Sequence, residues 1–167
     1  MSVETLIMAH AAWRNGSGGA PAGVAGQKDA GAYADLDLNL ITFTNCSFSG
    51  STFSGTSFRQ ANWSGCEFTN CSFSECDFAQ IVISGCTFSN CTFAQGKFNG
   101  NAMSHCTFQS CDLNQVSLDN SQWHDVQLFA CHGNDISGKC MVGTHVKWQG
   151  SEFRSMRLNS SRINVTP

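Results

Sequence analysis

The chain repeats with a period of five residues over most of its length, and few backbone conformations accommodate such a period. Steps of five from Leu38 to Ile163 give 26 positions, of which 23 hold a large apolar residue and three hold glycine. Twelve of the thirteen phenylalanines occupy this central position. The period fits neither the 3.6-residue turn of an α-helix nor the two-residue alternation of a strand. It therefore predicts a chain that bends at every fifth residue.

A second position of the repeat, two residues before each centre, is usually small. Nine of the ten cysteines fall there. Side chains two residues apart in a short extended segment point the same way, so we expect both positions to face inward. Four such sides would close a coil of 20 residues, and neighbouring coils would stack at ~4.8 Å. Residues 36–165 then predict about six and a half coils of an all-β, four-sided solenoid.

The cysteines are interpreted as core fillers. The 20-residue coil places Cys46, Cys66, Cys86 and Cys106 in one ladder beside a column of phenylalanines. Stacked thiols with parallel Cβ directions suit neither a tetrahedral zinc site nor a disulfide, although an even number of cysteines leaves a disulfide framework formally open. Small, polarisable side chains pack well beside aromatic rings. We expect no metal and no cofactor, and only Cys140 faces outward.

The segment 131–147 exchanges large and small residues between the two inward positions. Gly133, Gly138 and Gly143 occupy three successive centres, while Ile136 and Met141 occupy the usually small position. Two interpretations are open: a continuous but distorted coil, or a loop that leaves the stack between residues 128 and 148. Compensation of volume favours the continuous coil with a local bulge, because protein interiors are closely packed.

The two ends of the chain depart from the repeat. Residues 1–13 form a short segment that is either a helix or a disordered tail, and residues 14–33 read as a flexible Gly/Ala-rich linker. The predicted β-helix covers residues 34–167. Its last coil carries Met156, Leu158 and Ile163, which would be exposed without a cap. We therefore expect that end either to form a homodimer or to be buried against another protein.

The sequence offers partner-binding candidates rather than catalytic ones. Phe129 is the one phenylalanine outside the repeat phase, and His132 and Trp13 are further candidate contacts. With the residues of the last coil, the predicted partner-binding set is Trp13, Phe129, His132, Met156, Leu158 and Ile163. The five histidines share no evident spacing, and the chain contains no nucleophile elbow, Walker A loop or paired-histidine metal motif. We therefore predict a protein that is not an enzyme.

Charge and hydropathy exclude several classes of partner. The formal net charge is −3, which does not suit direct binding to nucleic acid. The chain has no run of 18 apolar residues, so no membrane span is expected. The N-terminus lacks a basic leader, and ten cysteines without a secretory signal indicate a reducing compartment. A cytoplasmic location is the resulting prediction.

The units CSFSG, CEFTN, CSFSE, CDFAQ and CTFSN resemble those of the pentapeptide-repeat family, in its Phe/Cys-rich form, and the likeness extends over about 130 residues. The resemblance implies a right-handed, quadrilateral parallel β-helix in a bacterial protein. It also implies function by contact. Similar Phe/Cys-type proteins are accessory or effector-associated adaptors of bacterial secretion systems, so export by a non-classical route is a further expectation.

A second function implied by the resemblance is mimicry of DNA. Some family members imitate the shape and charge of B-DNA and thereby bind DNA gyrase. Residues 60–138 carry seven acidic residues and one base, Lys97, but these acids are spread over several predicted sides. Duplex DNA carries one charge per ~1.7 Å, which is far denser. The sequence therefore favours the adaptor over the gyrase binder.

Overall fold

The computed structural model describes residues 2–165 and consists of one N-terminal helix followed by a stack of short parallel strands. Helix α1 spans Val3–Arg14, and Ser2 caps its N-terminus by accepting a hydrogen bond from the Thr5 amide. Most strands are three residues long and pair with the equivalent strand one coil above or below. The chain forms a four-sided parallel β-helix of about seven coils. The predicted fold class is confirmed.

Three sides of the β-helix are continuous parallel sheets, and the fourth is formed in part by isolated bridges. Side A contains β1 (Gly23–Ala25), β4 (Thr42–Thr44), β7 (Asn62–Ser64), β10 (Val82–Ser84), β13 (Ala102–Ser104), β16 (Gln122–His124), β20 (Val142–Val146) and β23 (Arg162–Val165). Side B contains β2 (Lys28–Asp29), β5 (Ser47–Ser49), β8 (Glu67–Thr69), β11 (Thr87–Ser89), β14 (Thr107–Gln109) and β17 (Gln127–Phe129). Side C contains β3 (Ala32–Ala34), β6 (Thr52–Ser54), β9 (Ser72–Ser74), β12 (Thr92–Ala94), β15 (Asp112–Asn114), β18 (His132–Asn134) and β21 (Glu152–Arg154). Side D contains β19 (Ser137–Lys139) and β22 (Arg157–Asn159), and isolated single bridges in the range between Asp37 and Ser137 continue it toward the N-terminal coils.

The corners explain how a five-residue unit turns. Every fifth residue from Asp35 to Ser160 has a positive φ, between 51° and 72°. Glycine, asparagine and aspartate enter this left-handed region at the lowest cost, and they fill many of the corners. One left-handed residue between short strands redirects the chain, so the period follows from backbone geometry as well as from the apolar pattern.

The interior is a column of stacked rings. Phe68 lies between Phe48 and Phe88, with 4.9 Å between ring centroids on each side and interplanar angles of 4° and 7°. Within one coil the rings meet edge to face, as Phe68 and Phe73 do at 5.7 Å and 65°. Both arrangements are favourable for aromatic quadrupoles. The rings therefore form one continuous stack along the interior of the middle coils.

Seven of the nine buried cysteines donate a hydrogen bond to a carbonyl of the preceding coil. The Cys91 thiol donates to the carbonyl oxygen of Phe68 at 3.3 Å, and the Cys111 thiol donates to that of Phe88 at 3.2 Å. Ser121 occupies the same position and donates to the carbonyl oxygen of Phe98 at 2.7 Å. A short side chain with a donor, whether a thiol or a hydroxyl, can therefore hydrogen-bond to the preceding coil from this position.

The chain stays in the stack between residues 128 and 148. Gly133 pairs with Leu113 below and Phe153 above, and a Cβ added to Gly133 would lie 2.7 Å from the Ile136 side chain and 2.8 Å from the Leu113 carbonyl oxygen. Ile136 thus fills the space that Gly133 leaves. Strand β20 is five residues long, and its register with β23 shifts between Gly143 and Val146. The coil is continuous and carries the expected irregularity.

The N-terminal region differs from the flexible linker expected over residues 14–33. Strands β1 and β2 lie in that range and β3 begins in it; together they form the first coil, with Val24 and Tyr33 buried. The sequence pattern did not predict this coil, for two reasons. It is one residue shorter than the others, since Lys28 pairs with Ser47 but Ala32 pairs with Thr52. Asp29 also pairs with Phe48, where the later coils place a large apolar residue.

Helix α1 covers the N-terminal end of the stack. Val3, Ile7 and Ala11 are buried and belong to the same apolar core as the rings of the first coils. An exposed end of a solenoid normally requires such a cover, because it offers apolar surface and unpaired strand edges. The segment described from sequence as either a helix or a tail is a helical cap.

Candidate functional site

The interior offers no reaction cleft among residues 2–165, so the candidate sites lie on the ends and the outer surface. The apolar pocket inside the last coils has a volume of about 20 Å³, which is room for about one water molecule. Its lining includes Leu118, Ile136 and Met141 from the stack and continues to the C-terminal end.

The C-terminal end of the described chain presents a ring of apolar side chains. We call this surface the end face, and its residues are Trp148, Phe153, Met156, Leu158 and Ile163. All five are only partly buried, although they pack against the core, whereas the equivalent side chains in the middle coils are fully buried. The three predicted contact residues of the last coil, Met156, Leu158 and Ile163, are thus brought together.

Positive charge surrounds the end face. Arg154, Arg157 and Arg162 occupy exposed outward positions on the strands that carry the apolar ring, and Lys147 lies one side away. Glu152 is the one acidic residue among positions 136–165. The end face is therefore an apolar centre inside a basic rim.

The other predicted contact residues do not join the end face. Trp13 lies on α1 at the opposite end, 38% exposed, with the Arg14 guanidinium 5.9 Å from its ring centroid. Phe129 ends β17 on side B, and His132 begins β18 on side C, where it is exposed. Phe129 is half-buried rather than fully in solvent. The predicted set therefore separates into three surfaces.

A cluster of titratable residues, absent from the predicted set, lies at the corner between sides A and B. His105 Nδ1 is 3.3 Å from a carboxylate oxygen of Asp125, and His124 Nε2 is 3.2 Å from the same oxygen. The His145 ring lies 5.8 Å from the His124 ring, centroid to centroid. His105, Asp125 and His145 occupy equivalent corners of successive coils. The 20-residue spacing of these three positions is visible in the sequence and could have revealed the cluster.

Ionisation of two interior thiols, those of Cys76 and Cys106, is suppressed. Burial raises the pKa of Cys76 and of Cys106 from 9.0 to about 11. Both thiols also donate to backbone carbonyls. A protonated, enclosed thiol is a poor nucleophile and a poor metal ligand. Cys140 is the exposed exception, at a corner with φ of 56°.

Comparisons with known proteins agree with the geometry. Residues 46–85 match the model of pentapeptide repeats in eight copies. QnrB1, a plasmid-mediated fluoroquinolone resistance protein, has a similar solved structure with a TM-score of 0.55 and 17% identity, covering 83% of this chain and 72% of that one. HetL of the cyanobacterium Nostoc sp. strain PCC 7120 gives a TM-score of 0.47 and 13% identity over 83% and 86% of the two chains. No curated protein matches in sequence.

The structure belongs to the class of four-sided β-solenoids, and its five-residue units each turn at a residue with a left-handed backbone conformation. Residues 46–85 are thus similar to pentapeptide repeats, and the described coils on either side of them continue the same parallel pairing. At 17% identity the likeness to QnrB1 shows the fold alone. Within residues 2–165, no helix has the length and apolar character needed to cross a bilayer.

Proposed function

We propose that this protein is a non-enzymatic scaffold that binds a partner protein through the end face. The observation that carries the proposal is the ring of partly buried apolar residues around Met156, Leu158 and Ile163. A contiguous apolar surface with a polar rim is typical of a protein-interaction site. The rigid stack beneath it would present this surface with little loss of conformational freedom on binding.

The charge of the rim indicates the chemistry of the partner. Arg154, Arg157, Arg162 and Lys147 would meet the partner at its periphery. Complementary potentials steer association and suppress wrong partners, so the partner surface should carry apolar residues flanked by Asp or Glu. A head-to-head homodimer would bring two basic rims together. Of the two partners that the sequence left open, we therefore favour a different protein over a second copy of this chain.

Trp13, Phe129 and His132 are secondary contact candidates within this proposal. They lie on the cap, on side B and on side C, so one compact partner at the end face would not reach them all. A scaffold with separate surfaces can hold more than one partner. The adaptor role in a bacterial secretion system rests on the family resemblance, and a cytoplasmic location accords with ten unpaired cysteines.

Gyrase binding by mimicry of DNA is the alternative function, and the arrangement of acids weighs against it. Glu67 lies on side B and Asp112 on side C, while Asp125 and Asp135 occupy corners. Asp77 on side D is paired with Arg59 at 2.7 Å. Within residues 2–165, no one side carries a dense row of carboxylates comparable with a phosphate backbone.

Two peptides of matched length test the proposal. Each has a Leu/Phe centre, one flanked by glutamates and one by lysines, and binding to the protein is followed by fluorescence anisotropy. We expect the acidic peptide to bind more tightly, to weaken with added salt and to lose binding in Leu158→Asp. Val82→Asp, an exposed apolar position on side A, is the matched control and should bind as the wild type does.

Equal binding of the two peptides, or equal loss of binding in both variants, would reject the end face as the site.

A supercoiling assay with DNA gyrase addresses the alternative function. Protection or inhibition that persists in Leu158→Asp would favour mimicry of DNA, whereas absence of any effect at micromolar protein would favour the scaffold.

A further inference from the structure

We propose that His105, His124 and Asp125 form a binding site for a divalent transition metal of the zinc type. One ligand atom from each residue lies within 4.8 Å of the other two. The site lies at the corner between sides A and B, apart from the apolar residues of the end face, although Lys147 of the basic rim lines the same groove. It adds a metal-binding activity on the outer surface, separate from the buried cysteines of the interior.

The fold assembles this cluster through its 20-residue coil. His105 and Asp125 occupy corners of adjacent coils, so their side chains stack along the same edge. His124 precedes Asp125 at the end of β16, and β16 pairs with β13, which leads into the His105 corner. The three residues thus come from two coils, and the hydrogen-bonded ladder between those coils fixes their separation.

The distances suit a small cation coordinated by nitrogen and oxygen. Ligands placed about 2.0–2.2 Å from Zn²⁺ in a tetrahedron lie roughly 3.3–3.6 Å from one another. The two nitrogen–oxygen distances in the cluster are 3.3 Å and 3.2 Å. Small side-chain adjustments would therefore admit the ion. The carboxylate faces both imidazoles already, and it would supply the negative charge that a divalent cation requires.

Two imidazoles and one carboxylate form a donor set that suits Zn²⁺ and its neighbours in the transition series better than Mg²⁺ or Ca²⁺. A fourth protein ligand is close, because His145 occupies the next corner of the same column and its ring lies 5.8 Å from that of His124. His105, Asp125 and His145 line a common open groove with Thr107, Gln127 and Lys147. With His145 engaged, the ion would join three successive coils.

Titration calorimetry with zinc chloride tests the site on the full chain with any histidine tag removed. Cys140→Ser serves as the background for all variants, because Cys140 is the exposed thiol. We expect one Zn²⁺ per chain, and a rise of the unfolding temperature, since an ion that binds the folded state alone stabilises it. Co²⁺ in place of Zn²⁺ should give the visible absorption of a tetrahedral complex.

Three variants assign the ligands. His124→Ala and Asp125→Asn should each weaken Zn²⁺ binding by about tenfold or more, since even outer-shell changes cost roughly 10–100-fold. His145→Ala should also weaken it if this imidazole completes the site. His132→Ala removes an exposed histidine on side C and should leave the affinity unchanged. All four side chains except that of Asp125 are exposed, so circular dichroism should report the same fold.

The result that overturns the proposal is equally specific. Absence of saturable Zn²⁺ binding, or binding that His124→Ala and Asp125→Asn leave intact, would show that the cluster is not a metal site. Equal weakening in His132→Ala would assign the binding to scattered surface histidines and would likewise reject it.

Discussion

The Nε2 atom of His10 lies 2.8 Å from the backbone carbonyl oxygen of Asn39, and this contact joins the helical cap to the β-helix. The other ring nitrogen, Nδ1, accepts the backbone N–H of Ala22 at 2.9 Å. Since Nδ1 is an acceptor, Nε2 must carry the proton that is donated to Asn39. His10 is 1% exposed, so one neutral imidazole satisfies two buried backbone groups at once.

His10→Ala should therefore loosen the cap. The substitution leaves the Ala22 N–H and the Asn39 carbonyl without partners, and each buried unsatisfied group costs about 1–3 kcal/mol. We expect the free energy of unfolding, measured in urea, to fall by at least about 1 kcal/mol for each of the two groups. Met8→Ala, at a 47% exposed position of the same helix, is the control and should change it little. Equal values for both variants would show that α1 does not stabilise the stack.

Phe68→Ala should be among the most damaging single truncations. Phe68 is fully buried and stacks on Phe48 below and Phe88 above. Loss of a buried phenylalanine typically costs ~3–5 kcal/mol, because the rigid surroundings do not close the cavity. Phe129→Ala is the matched control, since that ring lies outside the repeat phase and is half-buried. A melting temperature lowered equally by both would contradict the importance of the inner column.

The repeat made the middle of the molecule predictable from sequence, and the physical reason is redundancy. Each inward position is dictated twice, by the pattern along the chain and by its neighbour 20 residues away, as Phe48, Phe68 and Phe88 illustrate. The exchange at Gly133 and Ile136 could be interpreted for the same reason. The first coil has one neighbour and lacks one residue, and Asp29 takes an inward position, so the period was lost there.

The candidate sites were less accessible to sequence reasoning. The apolar residues of the last coil were recognised because the period assigns them inward positions. The basic rim and the histidine corner depend on outward positions, which the fold leaves free to vary. The predicted 20-residue coil already aligns His105, Asp125 and His145, whereas the approach of His124 from the adjacent strand is seen in the structure. Such clusters arise from stacking rather than from local motifs.

The stability of the protein should fall above pH 9. Burial holds the pKa of the Cys76 and Cys106 thiols at about 11 in the folded chain, against 9.0 when they are free. Since the folded-state pKa is raised, this contribution is complete below pH 9. It is lost progressively as the pH rises toward 11, by up to about 1.4 kcal/mol per pH unit for each thiol. Urea unfolding at intervals from pH 7 to pH 11 measures the slope.

The double variant Cys76→Ser/Cys106→Ser is the control for that slope. Serine fits the same position, as Ser121 does, and does not ionise in this range. Its unfolding free energy should decline less steeply above pH 9 than that of the wild type. Identical slopes would mean that the two thiols are not held protonated by burial.

Asn101 is a buried residue whose replacement should stabilise the protein. It is fully buried in the inward position that holds cysteine in nine repeats, and neither its side-chain oxygen nor its nitrogen has a hydrogen-bond partner among the described residues. Ser121, one coil above, donates to the carbonyl oxygen 23 residues earlier, which for position 101 is that of Phe78. Asn101→Ser would remove the unsatisfied amide and place a hydroxyl where this bond can form.

We expect Asn101→Ser to raise the free energy of unfolding by about 1 kcal/mol, the net value of one hydrogen bond. Asn114→Ser, at an exposed outward position of β15, is the matched control and should have little effect because its amide is solvated in both states. Urea denaturation of both variants beside the wild type measures the difference. A loss of stability in Asn101→Ser would mean that the amide is satisfied by an enclosed water, and that the polar interior of this coil contributes to the fold.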